Sequence, residues 1–177
     1  SAASDVYKRQ YESLASSPFN KIRFCVFPKH YVYNLKEPAQ YPFEIRENSP
    51  WSPSDFETEK LEKAPRNMFG GIDAMIENPD EVWDYTRPNP SYFEHIENTI
   101  ARLGTMGIQA DLILFHPYDR WGYSRMNLEQ QNFYLRYVVN RFSAYHNVWW
   151  AMANEFDLFR WKPVSLSLIH ISEPTRR

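Results

Sequence analysis

The run VWWAMANEFDL, Val148 to Leu158, places an amide and a carboxylate, Asn154-Glu155, directly after six apolar residues. Such a run belongs inside a protein, and an Asn-Glu pair is costly to bury unless it is paired or put to use. Two similar clusters exist. His116-Pro117-Tyr118-Asp119-Arg120-Trp121 follows the apolar run IQADLILF, and Pro28-Lys29-His30 follows NKIRFCVF, which carries Arg23 within it. A Glu preceded by Asn, with His and several aromatic residues nearby, suits cleavage of a glycosidic bond. The carboxylic acid protonates the leaving oxygen, amide and imidazole groups bind sugar hydroxyls, and flat rings stack on the sugar.

Those clusters must be positioned by the elements that carry them. Asn20–Pro28, Ile108–Pro117 and the run from Asn147 read as strands rich in β-branched and aromatic residues. Because each is apolar almost throughout, coverage on both faces and parallel pairing are expected, with Trp149-Trp150 in the core. Asn89-Pro90 forms a helix start, followed at helical spacing by Tyr92, Phe93, Ile96, Ile100 and Leu103 and closed by Gly104 and Gly107. Asn127 with Gln130 forms a capping box ahead of Tyr134, Leu135, Val138, Val139 and Phe142. YESLASSPF reads as the tail of an earlier helix. The order strand, helix, strand, helix, strand is an α/β fold, in which ligands gather at the carboxyl ends of parallel strands. All three polar clusters would then meet on one edge.

Between the first strand and its helix, about His30 to Arg87, runs a long connection rich in Pro and aromatic residues and containing Gly70-Gly71. It is expected to be an ordered loop packed over the sheet. His30, His95 and His146 read as surface or capping residues, and Lys60 to Lys63 as a solvated charged face.

The chain has 177 residues, 43% hydrophobic and 24% charged, with a formal net charge of -2. That is globular composition for one domain with a sizeable core, without the basic footprint of a nucleic-acid or anionic-membrane partner. No apolar run approaches the roughly 20 residues of a membrane span, and the single Cys25 excludes a disulfide within the chain. Cys25 reads as a small buried hydrophobe. Both ends, Ser1–Gln10 and Val164–Arg177, resemble translated sequencing-adapter sequence and are set aside from fold reasoning, which leaves 11–163 as the domain.

KIRF, ADLILFHPYDRWG and VWWAMANEFDL, in that order, resemble strands two, three and four of the clan A glycoside hydrolase (β/α)8 barrels. The likeness is nearest to a bacterial branch with apiosidase-like and cellulase-like relatives, and it covers nearly all of Tyr11 to Lys162. It implies a partial TIM barrel spanning about strands 2 to 4, with a long loop insertion after strand 2. It further implies a retaining enzyme acting on the O-glycosidic bonds of a plant- or microbe-derived oligo- or polysaccharide. Glu155 would be the general acid/base and Asn154 would bind the hydroxyl next to the reacting carbon. Arg23 would help to hold the nucleophile, and His116 would sit beside the subsite with Tyr118, Asp119 and Trp121 in the loop after it. The partner implied is a carbohydrate, with no nucleic acid, membrane, metal or cofactor, and the resemblance allows flanking β-sandwich domains in the parent protein.

A retaining mechanism needs two carboxyl groups about 5 Å apart, and the family's nucleophile, a Glu at the end of strand seven, has no counterpart here. The chain alone is therefore expected to be inactive, with unpaired sheet edges. Rival readings remain for each residue: Glu155 a solvated loop acid, Asn154 a helix N-cap, His116 a hydrogen-bonded strand-end histidine. Asp119-Arg120 could be a loop clamp, Tyr118 and Trp121 packing residues, and Arg23 a member of a buried charge network. Two other classes stand beside the glycosidase. A metal-dependent barrel hydrolase would use His116, Asp119 and Glu155 without any HxH or HExxH spacing. A non-catalytic carbohydrate-binding barrel would keep the aromatic residues alone.

Overall fold

The computed structural model describes residues 11–30, 37–52 and 76–155. A helical turn over residues 11–15 comes first. In chain order there follow β1 (Lys21–Cys25), β2 (Phe43–Ile45), the single turn α1 (Pro79–Val82), β3 (Trp83–Pro88), α2 (Pro90–Thr105), β4 (Gln109–Phe115), a 3-10 turn (Tyr123–Arg125), α3 (Leu128–Phe142) and β5 (Val148–Ala153). Among these elements no helix is long and apolar enough to cross a membrane.

The three expected strands form one parallel sheet in the order β1-β4-β5. The fold is thus mixed α/β, with β4 central and buried along nearly its whole length.

The helices end where local chemistry ends them. Asn89 Oδ1 accepts from the Ser91 N–H at 3.1 Å, and Pro90 fills the first helical position, where a missing N–H costs nothing. Phe93, Ile96, Ile100 and Leu103 then bury one stripe of α2. At its far end Ile108 N–H donates to Leu103 O at 2.9 Å and Gly107 N–H to Gly104 O at 3.1 Å. This is a Schellman closure with Gly107 in the left-handed region, φ 71°. α3 begins with the expected capping box: Gln130 N–H donates to Asn127 Oδ1 at 3.0 Å, and Asn127 N–H to Gln130 Oε1 at 2.8 Å. Asn147, buried ahead of β5, donates through Nδ2 to Ile100 O at 2.9 Å and Ile108 O at 3.2 Å, so the end of α2 is tied to the start of β4.

Three expectations are corrected. Coverage on both faces holds for β4 but not for its neighbours: among the described residues β5 has one strand partner, and Trp149 and Trp150 are 54% and 40% exposed rather than in the core. The connection of residues 30–87 is more than a loop, because β2 pairs antiparallel with β3, Ile45 opposite Trp83 and Glu44 opposite Asp84. Phe43-Glu44-Ile45 and Trp83-Asp84-Tyr85-Thr86 do alternate apolar with polar, but three residues of β2 and a β3 that ends in Pro88 are too short to stand out as strands within a Pro-rich connection. His30, taken as surface, is buried. Gly70-Gly71 and the Lys60 to Lys63 run lie outside the described residues.

An aromatic core joins the small sheet to the large one. The Phe27 ring stacks on Tyr123 and Tyr134 at centroid distances of 5.0 and 4.4 Å, and Phe43 lies 6.2 Å away. Trp83 packs on Tyr41, Trp51 and Tyr123. Two of the hydroxyls are satisfied from the backbone: Tyr134 Oη donates to Leu114 O at 3.0 Å and Tyr92 Oη to Val26 O at 2.6 Å.

The two faces of the parallel sheet differ. Ile22 and Phe24 turn toward Tyr92, Ile96 and Leu103 of α2. By strand alternation Lys21, Arg23, Asp111 and Trp149 lie on the other face. There Arg23 Nε donates to Asp111 Oδ2 at 2.9 Å, and the Lys21 ammonium lies 3.8 Å from the Trp149 ring centroid.

Candidate active site

Parallel pairing brings the carboxyl ends of β1, β4 and β5 side by side, so residues separated by up to about 125 positions share one edge. Asn154 N–H donates to Phe115 O at 3.0 Å, which extends the β4–β5 ladder by one rung. Val26 N–H donates to Ile113 O at 2.9 Å on the other flank. His30 N–H then donates to Tyr118 O at 2.9 Å, joining the β1 and β4 loops.

Glu155 stands exposed at this edge with φ 48°, a left-handed conformation that costs a non-glycine residue roughly 1 kcal/mol. Half-buried Asn154 directs Nδ2 toward Tyr118 Oη, 3.5 Å away. The Tyr118 ring is stacked with His116, centroids 5.9 Å apart and planes 19° from parallel, and the Lys29 ammonium lies 4.5 Å from its centroid.

His116 is buried, and both of its nitrogens are engaged. Tyr118 N–H donates to Nδ1 at 3.2 Å, so the ring proton is assigned to Nε2, which then donates to Phe27 O at 3.1 Å. Burial lowers its pKa below the ordinary histidine range, and Lys29 acts in the same direction. Asp119 and the Phe27 carbonyl oppose the shift without reversing it. His116 is a neutral strut beneath Tyr118 here, the hydrogen-bonded role weighed against substrate contact.

Asp119 and Trp121 turn into the loop rather than the edge. Asp119 Oδ1 accepts from the backbone N–H groups of Gly122 and Tyr123, the latter at 2.9 Å, and Oδ2 accepts from Ser124 at 2.8 Å. The carboxylate thus clamps the start of the 3-10 turn. Trp121 is only 1% exposed and has no open ring face to offer a sugar. Arg23 lies in the row of Asp111 and Trp149, five residues below Asn154. That is roughly 16 Å along the strand, beyond the reach of one side chain. The edge therefore unites Glu155, Asn154, Tyr118, His116 and Lys29, and leaves Arg23, Asp119 and Trp121 in supporting positions.

Sequence reasoning missed Glu37. It ion-pairs with buried Arg120 and accepts from Trp121 Nε1 at 2.8 Å and Tyr41 Oη at 2.5 Å. Burial pulls the Arg120 guanidinium down to about 10, which still leaves it charged at neutral pH. With Trp83 Nε1 donating to Trp121 O at 2.8 Å and Ile76 N–H to Arg120 O at 2.9 Å, the loop after β4 is fastened from several sides. No local signal in the sequence announces a contact spanning 84 positions.

Among the described residues no group of three or more His, Cys, Asp or Glu stands where it could hold a metal ion. Burial raises the Cys25 thiol above its usual range, which keeps it protonated and unreactive. Glu155 lines neither the polar cleft of about 560 Å³ beside Arg46, Asp84 and Arg87 nor the apolar cavity of about 310 Å³ between β1 and α2.

This architecture has relatives. A crystal structure of a Bacteroides vulgatus protein assigned to the glycoside hydrolases matches at 36% identity and a TM-score of 0.66, over 94% of this chain and 29% of that one. The chain thus falls in the glycoside hydrolase class and spans under a third of that relative's length. Residues 53–174 match the family described as apiosidase-like, catalytic domain, and the chain belongs to that family. No curated protein matches it.

Proposed function

We propose that the chain is the acid/base portion of a retaining glycoside hydrolase that acts on a carbohydrate O-glycosidic bond. In this reading Glu155 protonates the leaving oxygen and later deprotonates the attacking water. Asn154 binds the hydroxyl beside the reacting carbon. The observation that carries the reading is the parallel order β1-β4-β5, which puts Asn154-Glu155 on the same carboxyl edge as Tyr118 and His116 within a glycoside hydrolase family. The left-handed backbone at Glu155 supports it, since such conformations collect at functional positions.

The same reading treats the sheet as part of a (β/α)8 barrel. Helix α2 packs on one face, and the face bearing Lys21, Arg23 and Asp111 would look into the barrel. The second carboxylate then comes from another part of the parent protein, and the isolated chain does not turn over substrate.

The test is Glu155→Gln in the full-length protein. Hydrolysis of glycosides with poor leaving groups should fall by about 10²- to 10⁴-fold, and azide should partly restore turnover of those with good ones. Equal turnover of both substrate types by the variant and the wild type would remove the acid/base assignment. Sugar binding without any turnover by the wild type would favour a binding barrel.

A further inference from the structure

Tyr118 is held at every point except its hydroxyl hydrogen. Its N–H donates to His116 Nδ1 at 3.2 Å, and its carbonyl accepts from His30 N–H at 2.9 Å. The ring is stacked with the His116 imidazole and lies beneath the Lys29 ammonium. His116 is itself anchored to the Phe27 carbonyl at 3.1 Å, so the support continues into β1's extension. A ring engaged in this way is poorly disposed to act as a sugar platform. What it presents is Oη, and Asn154 Nδ2 lies 3.5 Å from it.

We propose that Tyr118 is a positioning residue for Asn154. Its hydroxyl oxygen accepts one N–H of the Asn154 carboxamide and fixes which way that amide faces. Once Nδ2 is committed to Tyr118, Oδ1 and the second N–H are left for the substrate. Oδ1 then accepts from the sugar hydroxyl next to the reacting carbon, and the rotation that would present Nδ2 in its place is blocked. At 3.5 Å the bond is long, as catalytic hydrogen bonds often are before substrate tightens the site. A site built to accept from that hydroxyl discriminates against a sugar lacking it, because the acceptor then loses its partner. The proposal rests on the glycosidase reading for its substrate and on these contacts for its geometry.

The experiment compares wild type, Tyr118→Phe, Asn154→Ala and the double variant in the full-length protein, using p-nitrophenyl glycosides and their 2-deoxy counterparts. Phe keeps the ring between its neighbours and removes only Oη. The expected result is a fall in kcat of about tenfold on the 2-hydroxy substrate with KM little changed, a much smaller fall on the 2-deoxy substrate, and no further loss when Asn154 is already Ala. An equal loss on both substrates, or losses that multiply in the double variant, would overturn it. Should the wild type hydrolyse no glycoside, the glycosidase reading fails by itself, and the positioning claim is read from the side-chain NH2 resonances of Asn154. In Tyr118→Phe those resonances should move while the backbone amides of Phe115 to His116 stay in place; unchanged resonances would overturn the positioning role.

Discussion

Replacing Glu37 by Gln tests whether the loop after β4 is fixed by a buried charge pair. Arg120 keeps 1% of its side-chain surface exposed and Glu37 keeps 16%, so the guanidinium cannot regain solvent when its partner becomes neutral. Gln retains the shape and an acceptor oxygen for Trp121 Nε1 or Tyr41 Oη, which isolates the loss of charge. Removing one partner of a buried charge pair costs about 3–5 kcal/mol. With a urea slope near 2 kcal/mol/M, the unfolding midpoint should drop by about 2 M. Tryptophan fluorescence is a suitable probe, because Trp83 and Trp121 both border the pair. Arg120→Met should cost less, since Glu37 is the more exposed partner, and in the Glu37→Gln background it should restore part of the lost stability. A midpoint within about 0.5 M of wild type for Glu37→Gln, or a double variant as unstable as the two single losses added together, would refute the account.

Two further predictions concern the same loop. Burial holds the folded-state pKa of His116 below that of the unfolded chain, so the unfolded chain binds the proton first as pH falls. Stability should be complete above the ordinary histidine pKa of about 6.5 and decline below it, by at most about 1.4 kcal/mol per pH unit, until the folded pKa is reached. His116→Gln should flatten that limb in urea titrations across pH, and an unchanged slope would show that another group sets it. Gly122 has φ 89°, and a Cβ there would stand 2.6 Å from Pro79 Cβ and 2.8 Å from Pro79 Cγ. Gly122→Ala should therefore lose about 2–4 kcal/mol from backbone strain and overpacking together; a calorimetric Tm unchanged from wild type would contradict the close approach.

Sequence alone determined whatever is decided within a few residues. Asn89-Pro90, the Asn127–Gln130 box and Gly107 fix helix ends through hydrogen bonds across one turn, so their residue types suffice to locate them. The three apolar runs fixed the strands, and the helices between them fixed parallel pairing, from which the shared edge of Asn154, His116 and Lys29 follows. Tertiary structure decided the rest, because the deciding partners are distant in the chain. Trp149 and Trp150 have the composition of core residues, yet burial depends on neighbours, and among the described residues β5 has a strand on one side only. β2 and β3 carry only brief alternations, and it is their pairing with each other that makes strands of them. Strand register, which no composition reports, sets Arg23 five rows from Asn154. Glu37 found its role in the same way: its charge is legible in the sequence, but the buried guanidinium that gives that charge a purpose lies 83 positions away, brought near only when the chain has folded.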